Sequence, residues 1–214
     1  MTDFSSSHPR RRFLGRAAAT IAALTAGFPS AAHADGSLSS AESEHDAWMK
    51  PLKGKHRQFF HTLSAQDTAM LMASNYLDAY AEAFAEKPGE VHAVIGVHGP
   101  ALSIGFNDAA WAKYAMGKGA NVIDPATKEP AARNIFATGG ALSVATLQKR
   151  GVVFLMCNTA LRLRSRAIAA ERGETYESVY EDLKSSRLPG IILVPALVVA
   201  INRAQEAGFT YLRA

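Results

Sequence analysis

Val91-His92-Ala93-Val94-Ile95-Gly96-Val97 is an apolar run rich in β-branched residues, closed by His98-Gly99-Pro100. It is too short for a helix and does not alternate with polar residues. A strand covered on both faces fits it best. The same kind of run recurs at Val152 to Met156 and at Ile191 to Val194, while a first strand lies within Lys55 to His61 and a last one at Phe209 to Leu212. Helical patterns fill the gaps. From Ala69 to Phe84 the positions Ala69, Met72, Ala73, Tyr76, Leu77, Tyr80 and Phe84 recur at helical spacing, with Asp67 as the expected cap and Lys87-Pro88-Gly89 as the stop. Ala141 to Arg150, Ala160 to Arg172, Thr175 to Lys184 and Ala196 to Ala207 read as further helices, with Gly151, Gly173 and Gly208 as stops. Strands alternating with helices imply a parallel sheet of about five strands with helices on both faces, because right-handed crossovers leave few other arrangements.

The segment from Gly105 to Gly140 breaks this rhythm and forms a long insertion after the second strand. Asn107 caps an expected short helix, Asp108 to Met116, closed by Gly117, and an irregular stretch with Asp124-Pro125 and Glu129-Pro130 follows. Excursions of this length usually serve as a lid or an interface.

The N-terminus carries a different signal. Pro9-Arg10-Arg11-Arg12-Phe13-Leu14-Gly15 precedes a mild apolar stretch, Ala17 to Phe28, and small residues at Ala32-His33-Ala34 mark a cut. These are the parts of a secretory signal, and the arginine pair directs it to the twin-arginine (Tat) route. A stable membrane anchor needs roughly 20 apolar residues, more than this stretch offers. The expected organisation is a cleaved signal peptide over 1–34, a flexible lead-in over 35–54 and one α/β domain over 55–214, exported by the Tat translocase to the periplasm. Tat passengers fold before export, so a cofactor inserted beforehand is compatible with the leader, although no residue pattern calls for one.

Loss of the leader removes four of the 23 Lys and Arg residues and one of the 19 Asp and Glu residues, which leaves a mature charge of about +1. With no basic stripe interleaved with aromatics, nucleic acid is not an expected partner. Dinucleotide, phosphate-loop and nucleophile-elbow fingerprints are missing. The histidines His45, His56, His61 and His92 show no metal-ligand spacing, so no metal is expected.

Cys157 is the one cysteine of the chain, which excludes an intrachain disulfide. It follows an apolar strand and precedes a helix that Asn158 or Thr159 would cap. Helix amides, together with Arg162 and Arg164, suit a thiolate there. An inert cysteine buried at a strand end fits the position equally well. His98, at the end of the neighbouring strand, is a candidate proton carrier, ligand or ion-pair partner, or a turn histidine satisfied by backbone. Asn107, Asp108, Trp111, Lys113 and Tyr114 form either the wall of a pocket near His98 or an interface helix burying Trp111 and Tyr114 against another subunit. Asn158 joins the candidate binding residues, and Arg133-Asn134 is a candidate anion contact or a cap.

Phe154-Leu155-Met156-Cys157-Asn158, Pro189-Gly190, Val194-Pro195 and the ending Gln205-Glu206-Ala207-Gly208-Phe209-Thr210-Tyr211 resemble the DsrE/DsrF-like family, and its exported branch in particular, which shares the segment Asn107 to Tyr114. The resemblance spans most of Lys55 to Leu212. It implies a flavodoxin-like three-layer α/β fold, assembly into homo-oligomers (trimers or hexamers), and a persulfide-carrying cysteine that exchanges sulfur with a donor or acceptor protein. Cys157 is the residue that matches this role. The functional expectation is therefore a periplasmic protein handling reactive sulfur through Cys157; its alternative is a non-catalytic module of the same fold that binds a small molecule or docks a partner.

Overall fold

The computed structural model describes residues 44–214; the expected export signal and cleavage site lie outside the described residues. Five strands form one all-parallel sheet: β1 (His56–Thr62), β2 (Val91–Val97), β3 (Val153–Cys157), β4 (Ile191–Val194) and β5 (Thr210–Arg213), in the order β4-β3-β2-β1-β5. Helices α1 (Thr68–Phe84), α2 (Asp108–Lys113), α3 (Met116–Gly119), α4 (Val144–Lys149), α5 (Asn158–Arg172), α6 (Tyr176–Ser185) and α7 (Leu197–Glu206) connect or flank the strands. The chain steps in one direction from β1 to β4 and then crosses the whole sheet to place β5 beside β1.

That reversal sorts the layers. Right-handed crossovers running one way put their helices on one face, and the return crossover puts its helix on the other. Phe60 meets Tyr76 of α1 on the first face. On the opposite face Trp48 packs edge-on against Phe59 and Phe209, and Leu197 of α7 lies so close over Gly96 that a Cβ there would fall 2.8 Å from it and 2.7 Å from the Phe59 ring. Gly96 is thus the position that lets α7 settle on the sheet. The result is a flavodoxin-like three-layer α/β architecture, with Phe59, Val94, Phe154, Leu155 and Met156 fully buried in the central sheet.

Several boundaries differ from the sequence expectation. The folded region begins before residue 55: Glu44–Met49 forms a 3₁₀ turn, Trp48 is 6% exposed, and Asp46 pairs with Arg203 of α7 at 2.8 Å. The aromatic face of Trp48 explains why a polar, acidic stretch is nonetheless held. The expected helix over Asp108 to Met116 is two short helices, because Ala115 adopts a left-handed backbone (φ 47°) between α2 and α3. The helix expected from Ala141 starts only at Val144, where the Ser143 hydroxyl accepts from the Thr146 amide. Asp67 precedes α1 but makes no side-chain cap.

The insertion is packed rather than draped. Ile104, Phe106, Trp111 and Met116 are fully buried, and the Trp111 Nε1–H donates to the Ser103 carbonyl at 2.7 Å. Gly117 lies directly against the Ala131 main chain, leaving no room for a Cβ. Asn134 ties the segment together: its side-chain amide donates to the carbonyls of Ile104 and Phe106 at 2.9 and 2.7 Å, and its own oxygen accepts from the Phe136 amide.

Candidate functional site

In an open parallel sheet, ligands gather where the connections from two adjacent strands leave toward opposite faces. Here those strands are β3 and β4, which lead into α5 on one face and α7 on the other. Cys157 is the last residue of β3 and sits in that crevice. Its Sγ accepts from the Ala160 amide at 3.4 Å, in the first turn of α5, and from the Leu197 amide at 3.3 Å, at the start of α7. The cap of α5 is therefore Cys157 itself, in place of the expected Asn158 or Thr159. The sulfur is thus held by amides from the first turns of two helices.

The crevice is also laced shut. Both the amide and the hydroxyl of Thr159 donate to the Pro195 carbonyl, at 3.2 and 3.1 Å, so the first turn of α5 is tied to the connection between β4 and α7. Cys157 is 3% exposed. Arg162 and Arg164 make no hydrogen bond to its sulfur; the Arg164 guanidinium instead lies over Gly119.

Continuing the β2–β3 register one step past Val97↔Met156 sets His98 opposite Cys157, and the extended backbone of His98 (φ −144°, ψ 156°) prolongs the strand. Gly99, at φ 57°, then turns the chain away. No hydrogen bond joins His98 to the sulfur. The His98 ring lies instead 5.9 Å from that of His61, centroid to centroid. His61 Nδ1 is 3.0 Å from the Tyr211 hydroxyl, and His61 stands directly across from Arg213 in the β1–β5 register. Burial holds the His61 imidazole below its ordinary value, and the neighbouring charges of His98 and Arg213 act in the same direction.

The remaining expected site residues are drawn into other contacts. Asn107 caps α2 by accepting from the Ala110 amide at 3.0 Å. Asp108 accepts from the Asn134 amide at 2.9 Å. Lys113 and Tyr114 both reach Asp182 of α6, at 2.8 and 2.5 Å, and these two hydrogen bonds hold the Asp182 carboxyl below its usual range. Asn158 accepts from the Tyr180 hydroxyl at 2.9 Å. Asp108, Asp124, Arg133 and Asn134 line a shallow cleft of about 240 Å³ within the insertion. The structure therefore brings Cys157 and His98 to one edge of the sheet and fastens Lys113 and Tyr114 to α6 and Asn158 to Tyr180. Leu197, His61, Tyr211 and Arg213 are not singled out by local sequence. The usable signal is parity: strand residues that share a register position share a face.

Among the described residues no group of three or more His, Cys, Asp or Glu side chains is arranged to hold a metal ion, and no helix is long and apolar enough to cross a membrane.

These features define a three-layer α/β protein with a cysteine at its topological switch point. No family model matches the chain, and no curated protein matches it. Among solved structures it is similar to the protein of unknown function MTH1491 from Methanobacterium thermoautotrophicum, with a TM-score of 0.43 and 18% identity over 74% of this chain and 99% of that one.

Proposed function

We propose that this is an exported, periplasmic DsrE-like protein that accepts and passes on sulfane sulfur through Cys157. The observation that carries the reading is the seat of the sulfur, at the switch point of the sheet and between the amides of Ala160 and Leu197. In the transfer, the Cys157 thiolate attacks the outer sulfur of a persulfide donor, R–S–SH. A new S–S bond forms as the donor's S–S bond breaks, and R–S⁻ leaves with the electron pair. Cys157 then carries the persulfide, and no oxidant is consumed. Amide donors preorganised around the sulfur would hold negative charge on it at either stage. The reaction requires the Thr159–Pro195 lacing to open, since the closed crevice leaves the thiol little contact with solvent.

That same closure favours a second reading, in which Cys157 is a structural cap and the domain binds a small molecule or docks a partner without covalent chemistry. Treatment of the folded protein with a small alkylating agent, read by intact mass, separates the two. Sulfur transfer requires modification of native Cys157, together with a gain of one sulfur atom from a persulfide donor that is lost in Cys157→Ser. Reaction only after denaturation would overturn the transfer reading.

A further inference from the structure

The C-terminal edge of the sheet carries a second group of residues that Cys157 does not use. His61 and Arg213 face each other across β1 and β5. Tyr211, two residues before Arg213, lies on the same side of β5, and its hydroxyl is joined to His61 Nδ1. His98 completes the group from the end of β2, with its ring beside that of His61. Four side chains from three strand ends thus converge on one face.

Their electrostatics are one-sided. The two charges that bear on the His61 ring, His98 and Arg213, are both basic, and among the described residues no hydrogen bond or ion pair to a carboxylate is present at His61, His98 or Arg213. Clustered basic groups ordinarily acquire acidic partners, because each raises the cost of charging the next. Here Arg213 is exposed, Tyr211 is 40% exposed and His98 is half-buried, so a ligand can reach them from solvent. His61 differs: its Nε2 is closed off from water and has no hydrogen-bond partner among the described residues. The ring is held by its neighbours, and its Nδ1 fixes the Tyr211 hydroxyl.

We propose that Arg213, His98 and Tyr211 form a binding site for a small oxyanion of sulfate size, with His61 as the positioning residue that orients the tyrosine. The guanidinium offers paired N–H donors to two oxygens of such an anion. The imidazole of His98 and the phenol of Tyr211 each supply a further donor, and the anion neutralises the repulsion within the group. A site for an anion does not depend on thiol chemistry at Cys157.

The test is titration of the full-length protein with sulfate against chloride at matched ionic strength, following the His61 and His98 ring resonances by NMR. Saturable shifts with sulfate, absent with chloride, are expected. Arg213→Gln and His98→Gln should each weaken sulfate binding tenfold or more, about 1.4 kcal/mol, and both sites are accessible enough for the variants to keep the native fold. Tyr211→Phe should weaken it less, and Cys157→Ser should bind as the unsubstituted protein does. Linear shifts, equal shifts with chloride, or unchanged affinity in both Arg213→Gln and His98→Gln would overturn the proposal. Sulfur transfer that fails while sulfate still saturates counts against the thiol reading alone.

Discussion

At the scale of single residues, Cys157 was half legible. Its place after an apolar strand and before a helix follows from the sequence, because a strand-to-helix junction is a local pattern. Its second amide donor comes from Leu197, 40 residues further on, and no periodicity connects the two. The structural weight of the sulfur can be measured. Cys157→Ala leaves the amides of Ala160 and Leu197 without their acceptor in a buried setting, and each such loss costs about 1 to 3 kcal/mol. Cys157→Ser keeps an oxygen acceptor and a good helix cap, so it should lose clearly less stability than the alanine variant in urea unfolding. Equal losses would mean that packing of the sulfur, rather than its hydrogen bonds, holds the junction. His61 was harder to find, since a histidine in a strand beginning His56-Arg57-Gln58 looks solvated until β5 arrives beside it.

At the scale of elements, strands were read best where burial is greatest. The run Val91–Val97 was placed without error because its interior is closed on both faces, whereas β5 is exposed along its whole length and its boundary shifted by one residue. The insertion after β2 was legible as an interruption but not as core. Expected roles as a lid or an interface both treat Trp111 as a surface residue awaiting a partner, yet Trp111 is 0% exposed within one chain and packs beside Phe136. Its partners lie before and after it, at Ser103 and Phe136, and only the folded segment brings them together. If the insertion is core, Trp111→Ala should cost about 3 to 5 kcal/mol in chemical unfolding, with one cooperative transition. Trp111→Phe, which keeps most of the volume but loses the bond to Ser103, should cost less. A Trp111→Ala variant as stable as the parent chain would show that the segment folds independently of the sheet. Lys113 and Tyr114 tell the same story, since Asp182 on α6 takes both and α2 becomes a clasp.

At the scale of the whole molecule, strand order is the feature that sequence could not supply. Alternating strands and helices give a parallel sheet, but the return of the chain to place β5 beside β1 depends on which edge the final crossover reaches. That one choice puts α7 over Gly96, its first amide on Cys157, and Arg213 opposite His61. The response of the whole fold to acid rests on two partly buried histidines and one paired carboxylate. Burial holds both His61 and His92 below their ordinary value of 6.5, so near and below that pH the unfolded chain binds protons that the folded chain resists. Stability then rises with pH across this window, and on acidification it is lost from about 6.5 downward until the folded-state values are passed. Asp182 acts in a separate, lower window. Its carboxyl, depressed by Lys113 and Tyr114, contributes stability above the ordinary value of 3.8 and loses it as pH falls through the folded-state value. Urea midpoints measured from neutral pH to strong acid should therefore fall in two stages. His61→Gln and His92→Gln should each flatten the first stage and leave the second, while Asp182→Asn should flatten only the second. A first stage as steep in the doubly substituted protein would assign the acid sensitivity to groups other than these two histidines.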